Sequence, residues 1–142
     1  MRVMAVDPGS RRVGVAVSDP TGTIAQPLTA VPAQPEATLA ARLATLAHTL
    51  EARCVVVGLP RRLDGGLGPE ARAAMALAER LHELSGLPTE LVDERLTSVA
   101  AERALVTADV RRARRRRLTD QVAAALILQA YLDRGRGRAD GA

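Results

Sequence analysis

Apolar positions in the first third of the chain fall in short runs separated by turn residues. Arg2–Asp7 and Val13–Ser18 are Val-rich runs joined by Pro8-Gly9-Ser10, and Asp19-Pro20-Thr21-Gly22 leads to a third run near Thr23–Val31. Such runs, bounded by Pro, Gly, Asp and Ser, predict strands, and three with tight links predict an antiparallel meander. The period then changes. Leu39, Leu43, Leu46 and Leu50 recur at helical spacing, which predicts a helix from about Glu36 to Ala52. Cys54–Gly58 is continuously apolar, the pattern of a strand covered on both faces. Leu59–Gly68, with Pro60 and glycines around Asp64, reads as a loop. Pro69 suits a first helical turn and Gly86 a stop, with Ala74, Leu77, Leu81 and Leu84 along one face between them. Glu90–Asp93 predicts a short strand. Thr97 and Ser98 offer caps for a further helix. An Arg-rich run follows, then a long helix through Leu118–Leu132, and the Gly-, Arg- and Asp-rich tail 134–142 is expected to fray.

Strands that alternate with helices imply parallel pairing, here added to the meander. The expected fold class is therefore α/β, a mixed five-stranded sheet flanked by helices. One domain over residues 1–142 is the simplest organisation. A hydrophobic fraction of 47% suffices for a core, which must be aliphatic because the chain has no Phe, no Trp and a single Tyr, Tyr131. No apolar run approaches the ~18–20 residues that span a bilayer, and charge mixes with apolar residues from the first turn, unlike a signal peptide. A single cysteine, Cys54, fits a reducing compartment. These features predict a cytoplasmic protein without a membrane partner.

All twenty basic residues are Arg, and six of them sit in Arg111-Arg112-Ala113-Arg114-Arg115-Arg116-Arg117. Without those six the net charge of +4 would become −2. The basic character is thus one local patch, which suits a polyanionic partner.

Acidic residues punctuate the predicted strand ends. Asp7 ends the first strand, Asp93-Glu94 ends the last, and Asp120 opens the last helix. Ligands of open α/β sheets gather beyond the carboxyl ends of strands, so parallel first and last strands would bring Asp7 and Glu94 to one edge, with Asp120 able to join them. Hard oxygen ligands of this kind suit Mg²⁺ or Mn²⁺. A pair of such ions ~3.5–4 Å apart can support the attacking and leaving oxygens of a phosphodiester displacement. Each acid alone has a plainer use: Asp7 as a turn residue, Asp93 and Glu94 as caps or partners of Arg95, Asp120 as the complement of a helix N-terminus. His48 and His82 lie on Leu-rich helices and read as helix-surface or half-buried residues rather than bases.

Several stretches resemble the YqgF/RuvX family. They are Asp7-Pro8-Gly9-Ser10-Arg11-Arg12-Val13-Gly14-Val15-Ala16 with Ser18-Asp19 and Ala25-Gln26-Pro27-Leu28, then Val56-Val57-Gly58-Leu59-Pro60 with Asp64-Gly65 and Gly68, then Asp93-Glu94-Arg95-Leu96-Thr97-Ser98, and finally Asp120 with Ala123-Ala124 and Ile127-Leu128. The resemblance implies a ribonuclease H-like fold related to Holliday-junction resolvases, and nuclease action in maturing the 5′ end of pre-16S rRNA. It implies Asp7, Glu94 and Asp120 as catalytic, metal-holding acids, with Asp93 a candidate fourth ligand, and Arg12 and Arg95 facing substrate. Departures are Pro8 where the family usually has an aromatic, Arg61-Arg62-Leu63 in the loop after Pro60, Arg115–Arg117 in place of Lys, and a missing Phe near Met75–Ala78.

The favoured expectation is a phosphodiesterase that cuts structured RNA. Mg²⁺ or Mn²⁺ would sit on Asp7, Glu94 and Asp120, while Arg12, Arg62, Arg95, Arg111, Arg112, Arg114, Arg115, Arg116 and Arg117 grip the backbone. Two alternatives stand beside it. One is cleavage of four-way DNA junctions, which needs two active sites and so a homodimer where the RNA reading allows a monomer. The other is a non-catalytic RNA-binding assembly factor that uses only the Arg patch.

Overall fold

The computed structural model describes residues 2–62, 64–97, 99 and 119–140. Three strands come first: β1 (Arg2–Asp7), β2 (Arg12–Ser18) and β3 (Ala25–Pro32). Then follow α1 (Glu36–Thr49), β4 (Ala52–Leu59), α2 (Pro69–Ser85) and β5 (Thr89–Asp93). A 3₁₀ turn, Glu94–Leu96, leaves β5, and the last described helix is α3 (Asp120–Asp140). The sheet order is β3-β2-β1-β4-β5. β1 pairs β2 and β2 pairs β3 antiparallel, while β1–β4 and β4–β5 are parallel. The mixed five-stranded sheet therefore forms as the sequence pattern predicts. The helix expected after Thr97-Ser98 and the Arg111–Arg117 run lie outside the described residues.

Strand alternation sends successive side chains to opposite faces, and each face has its own cover. Met4, Val6, Val13, Val15, Val55 and Val57 pack with Leu39 and Leu43 of α1 and with Ala74, Ala78 and Leu81 of α2. Val3, Ala5, Ala16, Val56 and Val92 pack instead with Ala123, Ala124, Ile127 and Leu128 of α3. Ala123 and Ala124 are 1% and 0% exposed, so small side chains let the first turns of α3 lie close on the sheet.

Element ends differ from expectation for local reasons. α1 stops at Thr49, because Leu50 and Glu51 turn the chain by donating N–H bonds to Leu46 O and His48 O, and Ala52 already opens β4. α2 ends at Ser85 with Gly86 in the left-handed region at φ 73°, the cap that glycine favours. α3 runs past Leu132 to Asp140, through residues 134–140 expected to fray. No Pro follows to break it, and glycines such as Gly135 weaken a helix without ending it.

The β2–β3 turn anchors α3. Asp19 accepts N–H bonds from Thr23 and Ile24 at 2.8 Å each and a hydroxyl bond from Thr21. On the turn so fixed, Gln129 of α3 donates to Thr23 O at 3.1 Å and accepts from Ala25 N at 2.9 Å. The Ile24 N–H, then the Thr21 hydroxyl and the Thr23 N–H, hold the Asp19 carboxyl well below the ordinary carboxylate range. A carboxylate with a depressed folded pKa adds stability above its unfolded value, and that stability is lost as pH falls through the folded value. Asp19→Asn should therefore be less stable than wild type at neutral pH, and the gap should narrow as pH drops below the ordinary carboxylate value of 3.8. Urea unfolding across a pH series checks this; a gap independent of pH would contradict it.

Candidate active site

The parallel course of β1, β4 and β5 brings their carboxyl ends to one edge. In register, Asp7 of β1 lies between Gly14 of β2 and the residue after Val57 on β4, which is Gly58, and Gly58 pairs with Val92 of β5. Asp7 continues the face of Val3 and Ala5, so it points to the side covered by α3. Its two lateral neighbours on that face are glycines. A glycine inside a strand marks a close approach by another group, and both positions show one.

Over Gly14 sits the start of α3. A β-carbon built there would stand 1.9 Å from Asp120 O and 2.3 Å from Asp120 C. Over Gly58, a β-carbon would stand 2.6 Å from Ile127 Cδ1, 3.5 Å from Glu94 Oε1 and 3.7 Å from Asp7 Oδ1. The two carboxylates thus converge above the same bare stretch of backbone. Asp7 is 3% exposed and Glu94 6%. Glu94 reaches this face because the 3₁₀ turn redirects the chain after Asp93: the Asp93 side chain accepts the Arg95 N–H at 2.9 Å, and Glu94 O accepts both the N–H and the hydroxyl of Thr97.

Asp7 and Glu94, then, are brought together, and the main chain of Asp120 lies one strand away over Gly14, with its residue half-buried. Among the described residues no group of three or more His, Cys, Asp or Glu stands ready to hold a metal ion. Asp93 is engaged elsewhere. Its carboxylate bonds Arg95 Nε at 3.2 Å and Nη2 at 2.8 Å, and it faces Arg61 Nη1 at 3.5 Å. The Arg95 side chain, with its N–H, keeps the Asp93 carboxyl below the ordinary range. Asp93 precedes Glu94 at the strand end and, by alternation from Val92, points away from Asp7.

The described basic candidates, Arg12, Arg62 and Arg95, lie toward the same edge. Arg12 opens β2 two residues before Gly14 and is exposed. Arg62 is exposed in the loop after β4, its guanidinium lying over Gly68. Arg95 follows Glu94 and is tied to Asp93. Arg111, Arg112 and Arg114–Arg117 lie outside the described residues. Both histidines are structural: His48 Nε2 meets Ser85 O at 2.9 Å and His82 Nδ1 meets Leu87 O at 2.7 Å.

Sequence reasoning missed Gly14 and Gly58 as parts of the site. The available signal was a lone glycine inside each Val-rich strand. Arg61 was also missed, since its partner Asp93 lies 32 positions away in the chain.

Comparison with known proteins defines the class first. The fold resembles Thermus thermophilus RuvC in complex with a Holliday junction substrate, at TM-score 0.61 and 20% identity over 95% of this chain and 96% of that one. It also resembles the fowlpox virus Holliday junction resolvase, at TM-score 0.55 and 13% identity over 94% and 99%. This is the ribonuclease H-like fold of the resolvases. Residues 1–134 match the family described as RuvX: Holliday junction resolvase. Proteins named as candidate pre-16S rRNA nucleases are 49% identical in Moorella thermoacetica (94% of this chain, 96% of that protein) and 46% identical in Streptococcus sanguinis (94% and 99%). The chain belongs to the RuvX family.

The two glycines should respond differently to a methyl group. At Gly14 the obstacle is main chain, so Gly14→Ala should lift α3 and cost about 1–3 kcal/mol. At Gly58 the nearest atom is the tip of a side chain that can turn aside, so Gly58→Ala should cost less. Denaturant unfolding of both variants checks the order; equal costs would contradict the close seating of α3 on Gly14.

Proposed function

We propose that this chain is a cytoplasmic, metal-dependent nuclease that hydrolyses phosphodiester bonds in structured RNA, in maturation of the 5′ end of pre-16S rRNA. The observation that carries the proposal is the convergence of buried Asp7 and Glu94 over Gly58, in a chain of the RuvX family.

Hard carboxylate oxygens converging over a strand glycine fit Mg²⁺ or Mn²⁺ in kind. Like charges held close in a buried site favour a divalent cation between them. Asp7 and Glu94 would hold the ion, with Asp120 as the third acid at the mouth of α3. Divalent ions in such a site supply activation of water and support for the departing 3′ oxygen. The chain does the rest. The packed face beneath, Val3, Ala5 and Val56, keeps bulk water from the acids. Arg12 and Arg62 stand exposed at the same edge, where guanidinium groups meet non-bridging phosphate oxygens. The Arg111–Arg117 run would add further phosphate contacts and so a salt-dependent affinity. The site's lack of Phe, Tyr or Trp leaves no stacking platform, so recognition would rest on backbone shape rather than base identity.

Junction cleavage is the second reading, favoured by the family's own description and by the likeness to junction resolvases. It requires two copies of the site on one substrate and therefore a homodimer.

A cleavage assay on precursor 16S rRNA and on a four-way DNA junction, in Mg²⁺ and in Mn²⁺, separates these. Wild type should cut the RNA only with a divalent ion. Asp7→Asn and Glu94→Gln should each lose at least about 100-fold in rate, beyond the ~10–100-fold typical of groups that only support a metal ligand, while keeping RNA affinity. Cutting of the junction alone would favour the second reading. RNA binding without cutting in wild type and variants, with Arg114→Glu plus Arg116→Glu abolishing it, would contradict both and leave an RNA-binding assembly factor.

A further inference from the structure

Asp93 stands beside the site without facing it, and its partners come from two segments. Arg95 binds it with Nε and Nη2, and Arg61 reaches it from the loop that follows β4. Arg61 also donates to Gly65 O from Nε at 3.2 Å and from Nη2 at 2.6 Å. Gly65 is in the left-handed region at φ 89°, and a β-carbon on it would stand 3.3 Å from Arg95 Nη1. The two guanidiniums therefore lie against one carboxylate and one loop peptide. The loop is closed on itself by Arg62 N to Gly66 O at 3.0 Å, Gly65 N to Arg62 O at 2.8 Å and Gly66 N to Asp64 Oδ1 at 2.8 Å.

We propose that Asp93 is a positioning residue and not a metal ligand. Clasped by Arg61 and Arg95, it fastens the β4–α2 loop to the turn that carries Glu94. Three observations support this. Leu59 of β4 pairs with Asp93 of β5, so the two chain exits leave the sheet side by side. The same carboxylate accepts the Arg95 N–H that shapes the 3₁₀ turn. Asp93 and Glu94 diverge, one to the clasp and one to Asp7. The clasp thus sets both the direction of Glu94 and the position of exposed Arg62, and a strand of substrate would meet an edge that is already assembled. The effect on Glu94 rests on the nuclease reading above; the tie between loop and turn does not.

Amide hydrogen exchange on the chain without metal or nucleic acid reads the tie directly. Asp93→Asn keeps an acceptor for the Arg95 N–H but removes the charge shared by two guanidiniums. It should speed exchange at Arg62, Gly65 and Gly66 at least about tenfold while Mn²⁺ affinity, measured by calorimetry, stays within about threefold. Asp93→Ala loses both roles, and Mn²⁺ affinity should fall by about 10–100-fold. Arg61→Gln, a change at a half-buried loop residue that spares the turn, should reproduce the exchange effect alone and raise KM for RNA more than it lowers kcat. Abolition of Mn²⁺ binding by Asp93→Asn, to the extent seen in Asp7→Asn, would make Asp93 a ligand and overturn the proposal. Wild-type exchange at Gly65 and Gly66 in Arg61→Gln would overturn it as well, whether or not Asp93→Ala folds. If Asp7→Asn itself leaves Mn²⁺ binding intact, the nuclease reading fails while exchange still decides the clasp.

Discussion

The absence of side chains at two points in one row of the sheet governs the candidate site of this molecule. Gly14 and Gly58 flank Asp7, and the volume they leave admits the first turn of α3 on one side and the tip of Ile127 on the other, with the Glu94 carboxylate beside it. A side chain at Gly14 would meet the main chain of Asp120, and one at Gly58 would meet the tip of Ile127. The seating of α3 depends on the same economy of bulk, since Ala123 and Ala124 sit on Ala5, Ala16 and Val3. Gln129 then pins the helix to the β2–β3 turn. Packing, capping and the position of Asp120 are one continuous constraint.

The clasp at the other side of the row serves the opposite edge of the cradle. An ion pair at the surface contributes little stability by itself, and Arg95–Asp93 is partly exposed, with side-chain exposures of 33% and 15%. Its value lies in geometry: one carboxylate fixes a turn and a loop that would otherwise leave neighbouring strands independently. A chain with an aliphatic core and almost no aromatic residues organises its functional edge through backbone approach and guanidinium–carboxylate contacts.

Much of this was legible in the residues. Val-rich runs and Leu spacing located the five strands and three helices of the described residues, because periodicity reports which faces are buried. The change from tight turns to intervening helices correctly implied the change from antiparallel to parallel pairing. Strand polarity then put Asp7 and Glu94 at one edge. Local chemistry was ambiguous where a residue had two uses. Asp93 could be a ligand or a partner of Arg95, and the direction of its side chain follows from its register beside Val92, which no local pattern states. Gly14 and Gly58 resembled ordinary strand glycines because the groups that press on them come from distant segments. The end of α3 was misjudged because apolar periodicity stops at Leu132 while the backbone continues its helix.

The most direct test of the account is a crystal structure of the chain grown with Mn²⁺, with the ions located by their anomalous scattering. The account predicts manganese bound by carboxylate oxygens of Asp7 and Glu94 at about 2.0–2.2 Å, the range for small hard divalent ions, with Asp120 drawn into the same shell and Asp93 still paired to Arg61 and Arg95. Manganese bound only elsewhere, with Asp7 and Glu94 uncoordinated in crystals saturated with the ion, would contradict it.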